Sequence, residues 1–235
     1  MGVAKEAPWS VEEELMILLT AATDIEMGAF LHAYPLPQGV STLLTGVGPV
    51  EAAVRVSAFL AASVPPPSAV VNFGVAGAYV FAGRENAALL DICLAEREVL
   101  ADLGICEQDE VQTLHGTGFA LESCVELDIE LLVRAARILT AAKIPFKQGV
   151  FATVSCVSGT QKRGALIAEQ HHALCENMEG FAVARACRYF GVPMLELRCI
   201  SNTVIDRKLQ DWQLREACNN CGAAIASLIN GLRDD

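Results

Sequence analysis

The sequence predicts a single α/β domain with a mixed, mostly parallel central β-sheet and helices on both of its faces. Two observations lead to this prediction. Short apolar runs typical of buried strands alternate along the chain with segments whose apolar residues recur at helical spacing. The length of 235 residues suits one large domain, and no repeat, low-complexity stretch or linker divides it. We therefore expect one domain over 1–235, with residues 1–14 as an N-terminal extension.

Seven apolar runs predict the strands of this sheet. The first run is continuous, as in a strand that is buried on both faces, and the sixth is rich in β-branched residues. Glycine, proline or polar residues bound the others. The predicted strands lie at 15–20, 40–45, 69–73, 89–94, 112–115, 150–156 and 193–200.

Helical spacing of apolar residues, together with end signals, predicts six helices. Thr23 is expected to cap the first, Pro49 to occupy the first position of the second, and Gly191 to end the fifth. Ser123 and Glu126 form a capping-box pattern that opens the third. The predicted helices lie at 24–33, 49–62, 123–142, 161–169, 178–190 and 211–232.

Two glycine turns follow predicted strands. Gly46 and Gly48 resemble the start of a dinucleotide fingerprint, but Glu51 stands where the third glycine would be, so a tight turn is the preferred interpretation. The glycines of the second turn, at 74–77, would let the backbone approach a ligand closely. A loop that merely needs positive φ explains this second pattern equally well.

Composition excludes several classes of protein. The net charge of −11 and the pI of about 4.8 argue against a nucleic-acid partner. Apolar runs are too short to span a membrane, so we expect a cytoplasmic protein without a membrane partner. Cys218 and Cys221 share an apolar helix face, which favours core packing over zinc binding. We expect no metal and no cofactor.

Glu179 and Asn202 are the most informative pair of residues in the chain. Glu179 opens the predicted helix at 178–190, and Asn202 follows the predicted strand at 193–200. Ligands bind beyond the carboxyl ends of strands in open α/β sheets, so both side chains can face one crevice. A carboxylate suits the hydroxyls of a sugar, and an amide suits the edge of a purine. The pair therefore predicts a nucleoside site.

Five segments resemble, in order, the motifs of the nucleoside phosphorylase and nucleosidase superfamily, and within it those of the methylthioadenosine/S-adenosylhomocysteine nucleosidases. The resemblance covers nearly the whole chain and implies a nucleoside phosphorylase-like fold. The segments lie at 22–26, 45–53, 72–77, 177–180 and 200–202.

This resemblance implies a role for each matching residue. Glu26 is expected to hold and activate water, Glu179 to bind the ribose hydroxyls, and Asn202 to recognise the base and stabilise its departure. An amide is not a general acid, so the proton for the leaving base must come from water or from another group. The other implied substrate contacts are Met178, Ala76, Gly77 and Ser201.

Asn202 departs from the adenine nucleosidases, which carry aspartate at this position. An amide can donate to the N7 or O6 atom of a 6-oxopurine, where a carboxylate would face another acceptor. Unpaired buried groups would cost roughly 1–3 kcal/mol each. Together with segments at 176–180, 200–204, 206–207, 151–155 and 159–160 and with Trp212, this substitution resembles the futalosine hydrolase branch of the superfamily. That branch implies release of hypoxanthine from futalosine, within the alternative menaquinone pathway.

The first loop separates a hydrolase from a phosphorylase. Phosphorylases of this superfamily place an arginine-bearing loop after the first strand, whereas the segment at 21–26 carries two acids and no arginine. These acids would repel phosphate and suit water. Three alternatives to a 6-oxopurine hydrolase remain: an adenine-type nucleosidase acting on methylthioadenosine, S-adenosylhomocysteine or aminofutalosine, a phosphorylase, and a nucleoside-binding protein without catalysis.

Two features of the substrate site stay open at this point. Futalosine carries a carboxyphenyl group, and Arg207 is the preferred cation for its carboxylate, with Lys208 second. Alignment with the adenine nucleosidases puts Cys156 where they carry an aromatic that stacks on the purine. Candidates to replace that aromatic are Phe151, Phe181 and Trp212. The apolar composition and the resemblance together suggest a homodimer or a larger homo-oligomer.

Overall fold

The structure is a computed structural model, and it describes residues 16–81, 84–107, 110–114, 121–205 and 212–234. Its helices are α1 (Asp24–Ala33), α2 (Pro49–Ala62), α3 (Ile129–Ala141), α4 (Gln161–His171), α5 (Gly180–Phe190) and α6 (Leu214–Asp234). Its strands are β1 (Ile17–Ala21), β2 (Val40–Leu44), β3 (Ala69–Phe81), β4 (Arg84–Glu85), β5 (Ile92–Leu100), β6 (Gly104–Glu107), β7 (Glu110–Thr113), β8 (Cys124–Glu126), β9 (Phe146–Thr153), β10 (Ala173–Asn177) and β11 (Met194–Val204).

One mixed sheet forms the centre of the molecule, with the strand order β10-β9-β5-β11-β3-β1-β2. Its longest pairings, β3 with β11 and β5 with β9, are parallel, whereas β5 with β11 and β3 with β10 are antiparallel. The first part of β3 pairs with β1 and a later part pairs with β10. Because β10 also pairs with β9, the strands β3, β10, β9, β5 and β11 close into a ring.

Helices cover both faces of this sheet, as predicted. Side chains alternate between the faces along each strand, so Ile17 and Leu19 of β1 enter one core and Leu18 enters the other. The first core is completed by α1, α3 and α6, and the second by α2 and α5. Cys218 and Cys221 are buried and Cys221 belongs to the first core, which agrees with the packing role predicted for them. Among the described helices, none combines the length and apolar character that a bilayer-spanning segment needs.

Local end signals predicted several boundaries correctly. Thr23 caps α1 through a capping box with Glu26, and α1 covers the predicted residues. Pro49 occupies the start of α2, and Gly191 ends α5 with φ of 69°. Gly46 and Gly48 form a turn with positive φ at both positions, as the preferred interpretation required. The predicted extension at 1–14 lies outside the described residues.

The start of the third helix was predicted wrongly. Cys124–Glu126 forms β8, which pairs with β5, and α3 begins only after Asp128, whose side chain accepts from Leu131 N–H at 2.8 Å. The Ser123 pattern therefore does not cap a helix. Asp128 offers the same chemistry five residues later, where the sheet no longer holds the chain extended.

The elements that carry the site also differ from their predictions. The segment at 74–77 is not a turn, because β3 continues through it to Phe81. Ser201 and Asn202 lie within β11 rather than after a strand end, at a register shift between Ile200 and Asn202. β10 was not predicted at all, and α5 begins at Gly180, so Glu179 is its N-cap residue.

Candidate active site

A cavity of about 450 Å³ opens where β3 and β11 run side by side. It brings together the residues to which the resemblance gave a role in catalysis or nucleoside contact, whereas the proposed cations Arg207 and Lys208 lie outside the described residues. Those that line it are Glu26, Ala76, Gly77, Met178, Glu179, Ser201 and Asn202. Segments far apart in sequence thus converge on one space, as the resemblance implied.

Glu26 is fixed by the capping box that begins α1. Its Oε2 atom accepts from the Thr23 N–H at 3.1 Å and from the Thr23 hydroxyl at 2.7 Å. Its Oε1 atom accepts from the Val75 N–H at 3.0 Å, which ties the carboxylate to β3. The residue is 6% exposed. A side chain on Gly74 would collide with this carboxylate, so glycine at that strand position permits the approach.

Glu179 lies at the start of α5 and is held by the turn that precedes α2. Its Oε1 atom accepts from the Gly48 N–H at 3.0 Å. Its Oε2 atom lies 3.6 Å from Nη2 of Arg198. Burial raises the pKa of the Glu179 carboxyl, and the Arg198 charge opposes this rise. The Gly46–Gly48 turn therefore also contributes a donor to the site.

Arg198 is the main residue that the sequence prediction missed. Its Nε atom donates to Glu196 Oε1 at 2.9 Å, and its Nη1 atom donates to the Val75 carbonyl at 3.3 Å. Burial would lower the pKa of Arg198, but the carboxylates of Glu196, Glu179 and Glu26 raise it above the ordinary value. The alternation Glu196, Arg198 within an apolar strand places both charges on one face, which is the signal that could have revealed the pair.

Asn202 is oriented by its neighbour. Ser201 Oγ lies 2.9 Å from Asn202 Oδ1 and 3.3 Å from the Ala76 carbonyl, so the hydroxyl can donate to the amide oxygen. This leaves the Nδ2 group of Asn202 to donate to a ligand. In the sheet Asn202 lies opposite Gly77, and Nδ2 is 3.0 Å from where a Cβ on Gly77 would be.

The predicted aromatic contacts are only partly present. Cys156 is exposed and does not line the cavity, whereas the following residues Val157 and Ser158 do. Phe151 and Phe181 are buried in the cores. Of the aromatic side chains proposed for stacking, only Trp212 lines the cavity within the described residues.

A second missed group comes from the unpredicted strand β10. Glu176 lines the cavity and is 6% exposed. Its Oε1 atom accepts from the Ser158 N–H at 2.9 Å and its Oε2 atom from the Tyr79 hydroxyl at 3.1 Å. Burial raises the pKa of Glu176, while these hydrogen bonds oppose the rise. Five residues of mixed polarity gave no strand signal, so the side chain could not be placed from sequence.

A buried polar network supports the residues around Glu179. Asn177 Oδ1 accepts from the N–H groups of Glu179 and Gly180 at 2.9 and 2.7 Å, and its Nδ2 atom donates to Glu98 Oε1 at 2.7 Å. Glu98 and Glu196 both approach Gly180, where a Cβ would collide with their carboxyl oxygens. Within the described part of the chain, no three His, Cys, Asp or Glu side chains are grouped to hold a metal ion.

Known proteins resemble this chain over most of its length. The family model described as Phosphorylase superfamily matches residues 17–230. A futalosine hydrolase of Streptomyces coelicolor is 34% identical over 231 residues, which cover 90% of this chain and 94% of that protein. A futalosine hydrolase of Thermus thermophilus is 34% identical over 199 residues, 81% of each chain.

Solved structures extend the comparison to the fold. A 5′-methylthioadenosine/S-adenosylhomocysteine nucleosidase of Helicobacter pylori, in complex with butyl-thio-DADMe-Immucillin-A, superimposes with a TM-score of 0.81. It is 20% identical, and the alignment covers 93% of this chain and 99% of that one. The single-domain α/β fold with a mixed sheet is thereby confirmed. The chain belongs to the phosphorylase superfamily and, within it, to the family that contains the futalosine hydrolases.

Proposed function

We propose that the chain hydrolyses the N-glycosidic bond of futalosine and releases hypoxanthine and dehypoxanthine futalosine, a step in menaquinone biosynthesis. One observation carries the proposal: Glu26 and Glu179 flank Arg198 in the same cavity whose wall presents Asn202. The Glu26 carboxylate and the Arg198 guanidinium adjoin Gly74 of β3, and the Asn202 amide adjoins Gly77, three residues further along the strand. This separation of about 10 Å suits a ribose at one end and a base at the other.

Glu26 is the proposed general base. Three protein donors fix its carboxylate, and the remaining lone pairs can accept from a water molecule. As the bond between C1′ and N9 breaks, its electron pair moves into the purine, and the water oxygen bonds to C1′ while its proton passes to Glu26. Proton transfer of this kind is typically worth 10²–10⁴-fold in rate.

Glu179 and Arg198 serve the ribose end. The Glu179 carboxylate would accept hydrogen bonds from the ribose hydroxyls, and these bonds strengthen as the sugar becomes cationic. The Gly48 N–H and the Arg198 guanidinium hold that carboxylate in place and favour its charged form. Met178, which also lines the cavity, would pack against the sugar.

Asn202 serves the base end. Its Nδ2 group would donate to N7 or O6 of the hypoxanthine and so stabilise the negative charge that the leaving base acquires. The proton that the base finally takes up comes from water, because an amide does not release one. Ala76 and Gly77 would lie beside the substrate, and Ser201 would keep the amide oriented.

Hydrolysis is favoured over phosphorolysis by the charges of the cavity. The proposed water site beside Glu26 lies in a cavity that Glu179 also lines, and the Arg198 guanidinium there is already surrounded by acids. A phosphate dianion would therefore meet repulsion there. The rate with futalosine should not depend on added phosphate.

The decisive experiment is product analysis with futalosine in phosphate-free buffer. Release of hypoxanthine at a rate unchanged by phosphate supports the proposal. The control is the variant Glu26→Gln, which should turn over slowly. Absence of hypoxanthine, with adenine released from methylthioadenosine instead, would contradict the proposed substrate while keeping the nucleosidase chemistry.

A second candidate is an adenine-type nucleosidase. An aminodeoxyfutalosine nucleosidase of Helicobacter pylori is 29% identical over 163 residues, which cover 68% of this chain and 67% of that protein. Its substrate differs from futalosine in the 6-amino group of the base. The amide at Asn202 disfavours this candidate, because that wall of the cavity would then lack a carboxyl group to protonate N7.

The chain also presents a surface suited to a second copy of itself. Val50 and Val54 of α2 and Tyr189 of α5 are 74%, 62% and 79% exposed, and they line a groove of about 590 Å³. Large apolar side chains gathered on one face are typical of subunit interfaces. We propose a homodimer through α2 and α5. Sedimentation should show a dimer for the native chain, and Val54→Glu should yield monomers.

The cytoplasm is the proposed compartment. Six cysteines are buried as free thiols, which suits a reducing environment. They are Cys93, Cys175, Cys187, Cys199, Cys218 and Cys221. Fractionation of cells that produce the chain would test this assignment.

A further inference from the structure

Three residues form one row across three neighbouring strands of the ring. Glu176 of β10 lies opposite Gly77 of β3, and Gly77 lies opposite Asn202 of β11. A Cβ placed on Gly77 would be 3.0 Å from Asn202 Nδ2 and 3.5 Å from Glu176 Cγ. Both side chains therefore lie over the backbone of Gly77, which carries no side chain of its own. Val204 Cγ2 is also 3.0 Å from that Cβ position, so the three side chains close over Gly77. The part of the cavity that faces the Asn202 amide and the Glu176 carboxyl is called the slot below.

The hydrogen bonds around Glu176 show which kind of partner the slot accepts. The Ser158 N–H and the Tyr79 hydroxyl both donate to its carboxyl oxygens. Tyr79 is fully buried, and burial raises its pKa well above the ordinary value, so it remains a phenol that donates. Two fixed donors suit a carboxylate, which has no proton to give and keeps further lone pairs. Burial raises the pKa of Glu176, and these two hydrogen bonds and the positive charge of Arg163 oppose that rise.

The two proposed functions act on different purines, and these purines differ on the edge that would enter this slot. A 6-oxopurine carries a proton on N1 and an acceptor at O6, whereas a 6-aminopurine has an unprotonated N1 and a donor at the 6-position. Asn202 can donate to O6 or N7, and a carboxylate beside it can accept from an N1 proton. The same carboxylate would face the N1 lone pair of adenine, acceptor against acceptor.

We infer that Glu176 is a specificity-determining residue, which accepts a hydrogen bond from N1–H of the 6-oxopurine while Asn202 donates to its O6 or N7. This inference rests on the proposed function, and it assigns part of the base recognition to a residue for which the resemblance implied no role. Gly77 takes part by letting the amide and the carboxyl come close together, since a methyl group there would be only 3.0 Å from Asn202 Nδ2.

The test compares futalosine with aminodeoxyfutalosine, which differ only at the 6-position of the base. The wild type should prefer futalosine in kcat/KM. In Glu176→Gln, the amide can donate to the bare N1 of adenine, so the preference should fall by roughly tenfold to a hundredfold. The matched control is Glu169→Gln, an exposed acid on α4, which should keep the wild-type ratio.

The ratio of the two kcat/KM values separates a role of Glu176 in base recognition from a role that only supports the cavity wall. If Glu176 only holds the loop that contains Ser158, Glu176→Gln will lower both rates together, and an unchanged ratio overturns the inference. A second measurement needs no variant. The wild type should cleave futalosine methylated at N1 at least tenfold less efficiently, and equal kcat/KM values overturn the inference.

The same experiment distinguishes failure of this inference from failure of the proposed function. A wild type that cleaves neither nucleoside refutes both. A wild type that cleaves futalosine, with the same preference in Glu176→Gln as in the native chain, refutes the role of Glu176 alone. Asn202→Asp provides the comparison for the other wall of the slot, and it should also shift the preference toward the 6-aminopurine.

Discussion

Arg198 and Glu179 face each other at 3.6 Å (Nη2 to Oε2), with side chains only 2% and 6% exposed. Glu196 lies 2.9 Å from the same guanidinium, and the Glu26 carboxylate also acts on it. One buried cation therefore compensates three acids that come from α1, the start of α5 and β11. Burial raises the pKa of Glu179, and the charge of Arg198 opposes that rise.

Removal of Arg198 should destabilise the fold strongly. Arg198→Met leaves buried carboxylates without their counter-charge, and losing one partner of a buried pair costs about 3–5 kcal/mol. Urea unfolding measures this loss. The control is Arg188→Met, because Arg188 is 60% exposed in its pair with Glu122 and should change the free energy of unfolding by less than about 1 kcal/mol. Equal effects of the two substitutions would contradict the central role of Arg198.

Glu26→Gln should slow turnover with little change in substrate binding. The amide keeps the size of the side chain but cannot take a proton from water, so kcat should fall by about 10²–10⁴-fold while KM stays within a few-fold. Steady-state kinetics with futalosine checks this, with Glu51→Gln, an exposed acid of α2, as the control. A rate equal to that of the wild type would remove Glu26 from the mechanism.

Glu98→Gln should make the protein less sensitive to rising pH. Burial raises the pKa of Glu98 well above its ordinary value of 4.5, and the charge of Glu196 is the second cause of this rise. In the unfolded chain Glu98 loses its proton near that ordinary value, whereas in the fold it keeps the proton longer. Its stabilising contribution is therefore complete below pH 4.5 and is lost as the pH rises toward the folded pKa.

Unfolding by urea at a series of pH values tests this sign. The difference in stability between Glu98→Gln and the wild type should grow in favour of the variant as pH rises, by at most about 1.4 kcal/mol per pH unit. A glutamine also keeps an oxygen to accept from Asn177 Nδ2. Parallel stability curves for the two proteins would show that Glu98 does not titrate abnormally.

Arg207→Ala should weaken the binding of futalosine selectively. Arg207 lies outside the described residues, and its proposed partner is the carboxylate of the carboxyphenyl group. Loss of one charge-assisted hydrogen bond of about 1.5–3 kcal/mol would raise KM for futalosine roughly tenfold to a hundredfold. Inosine lacks the carboxylate, so its KM should not change if it is cleaved, and an equal change for both substrates would refute the pairing. Lys208→Ala is the comparison variant.

Elements with local end signals were predictable from the sequence, and those set by tertiary pairing were not. Thr23 and Glu26 lie one turn apart and fix the start of α1 between themselves. β10, in contrast, consists of five residues that become a strand only because β9 and β3 lie on either side. The segment at 74–77 looked like a turn because its glycines suggested one, although they serve close approach within a continuous strand.

The same distinction applies to the site. Glu26, Glu179 and Asn202 were found because they stand in motifs, each beside an element that sequence patterns could locate. Arg198 contacts the Val75 carbonyl, 123 positions earlier in the chain. Glu176 accepts from the Ser158 N–H, 18 positions earlier. Only Glu196, two residues before Arg198, falls within a short window of sequence, so the three-dimensional structure had to supply the other partners.

Because the strands close into a ring, the backbone is more constrained at the base end of the cavity than at the ribose end. Glu176, Gly77 and Asn202 lie on strands whose backbones are bonded to neighbours around the ring, whereas the Gly48 donor lies in a turn and Glu26 on a helix outside it. Amide protons in the base slot should thus exchange with solvent far more slowly than those of the turn. Selection or engineering could then change which nucleobase is accepted by replacing single side chains, without rebuilding the backbone that presents them.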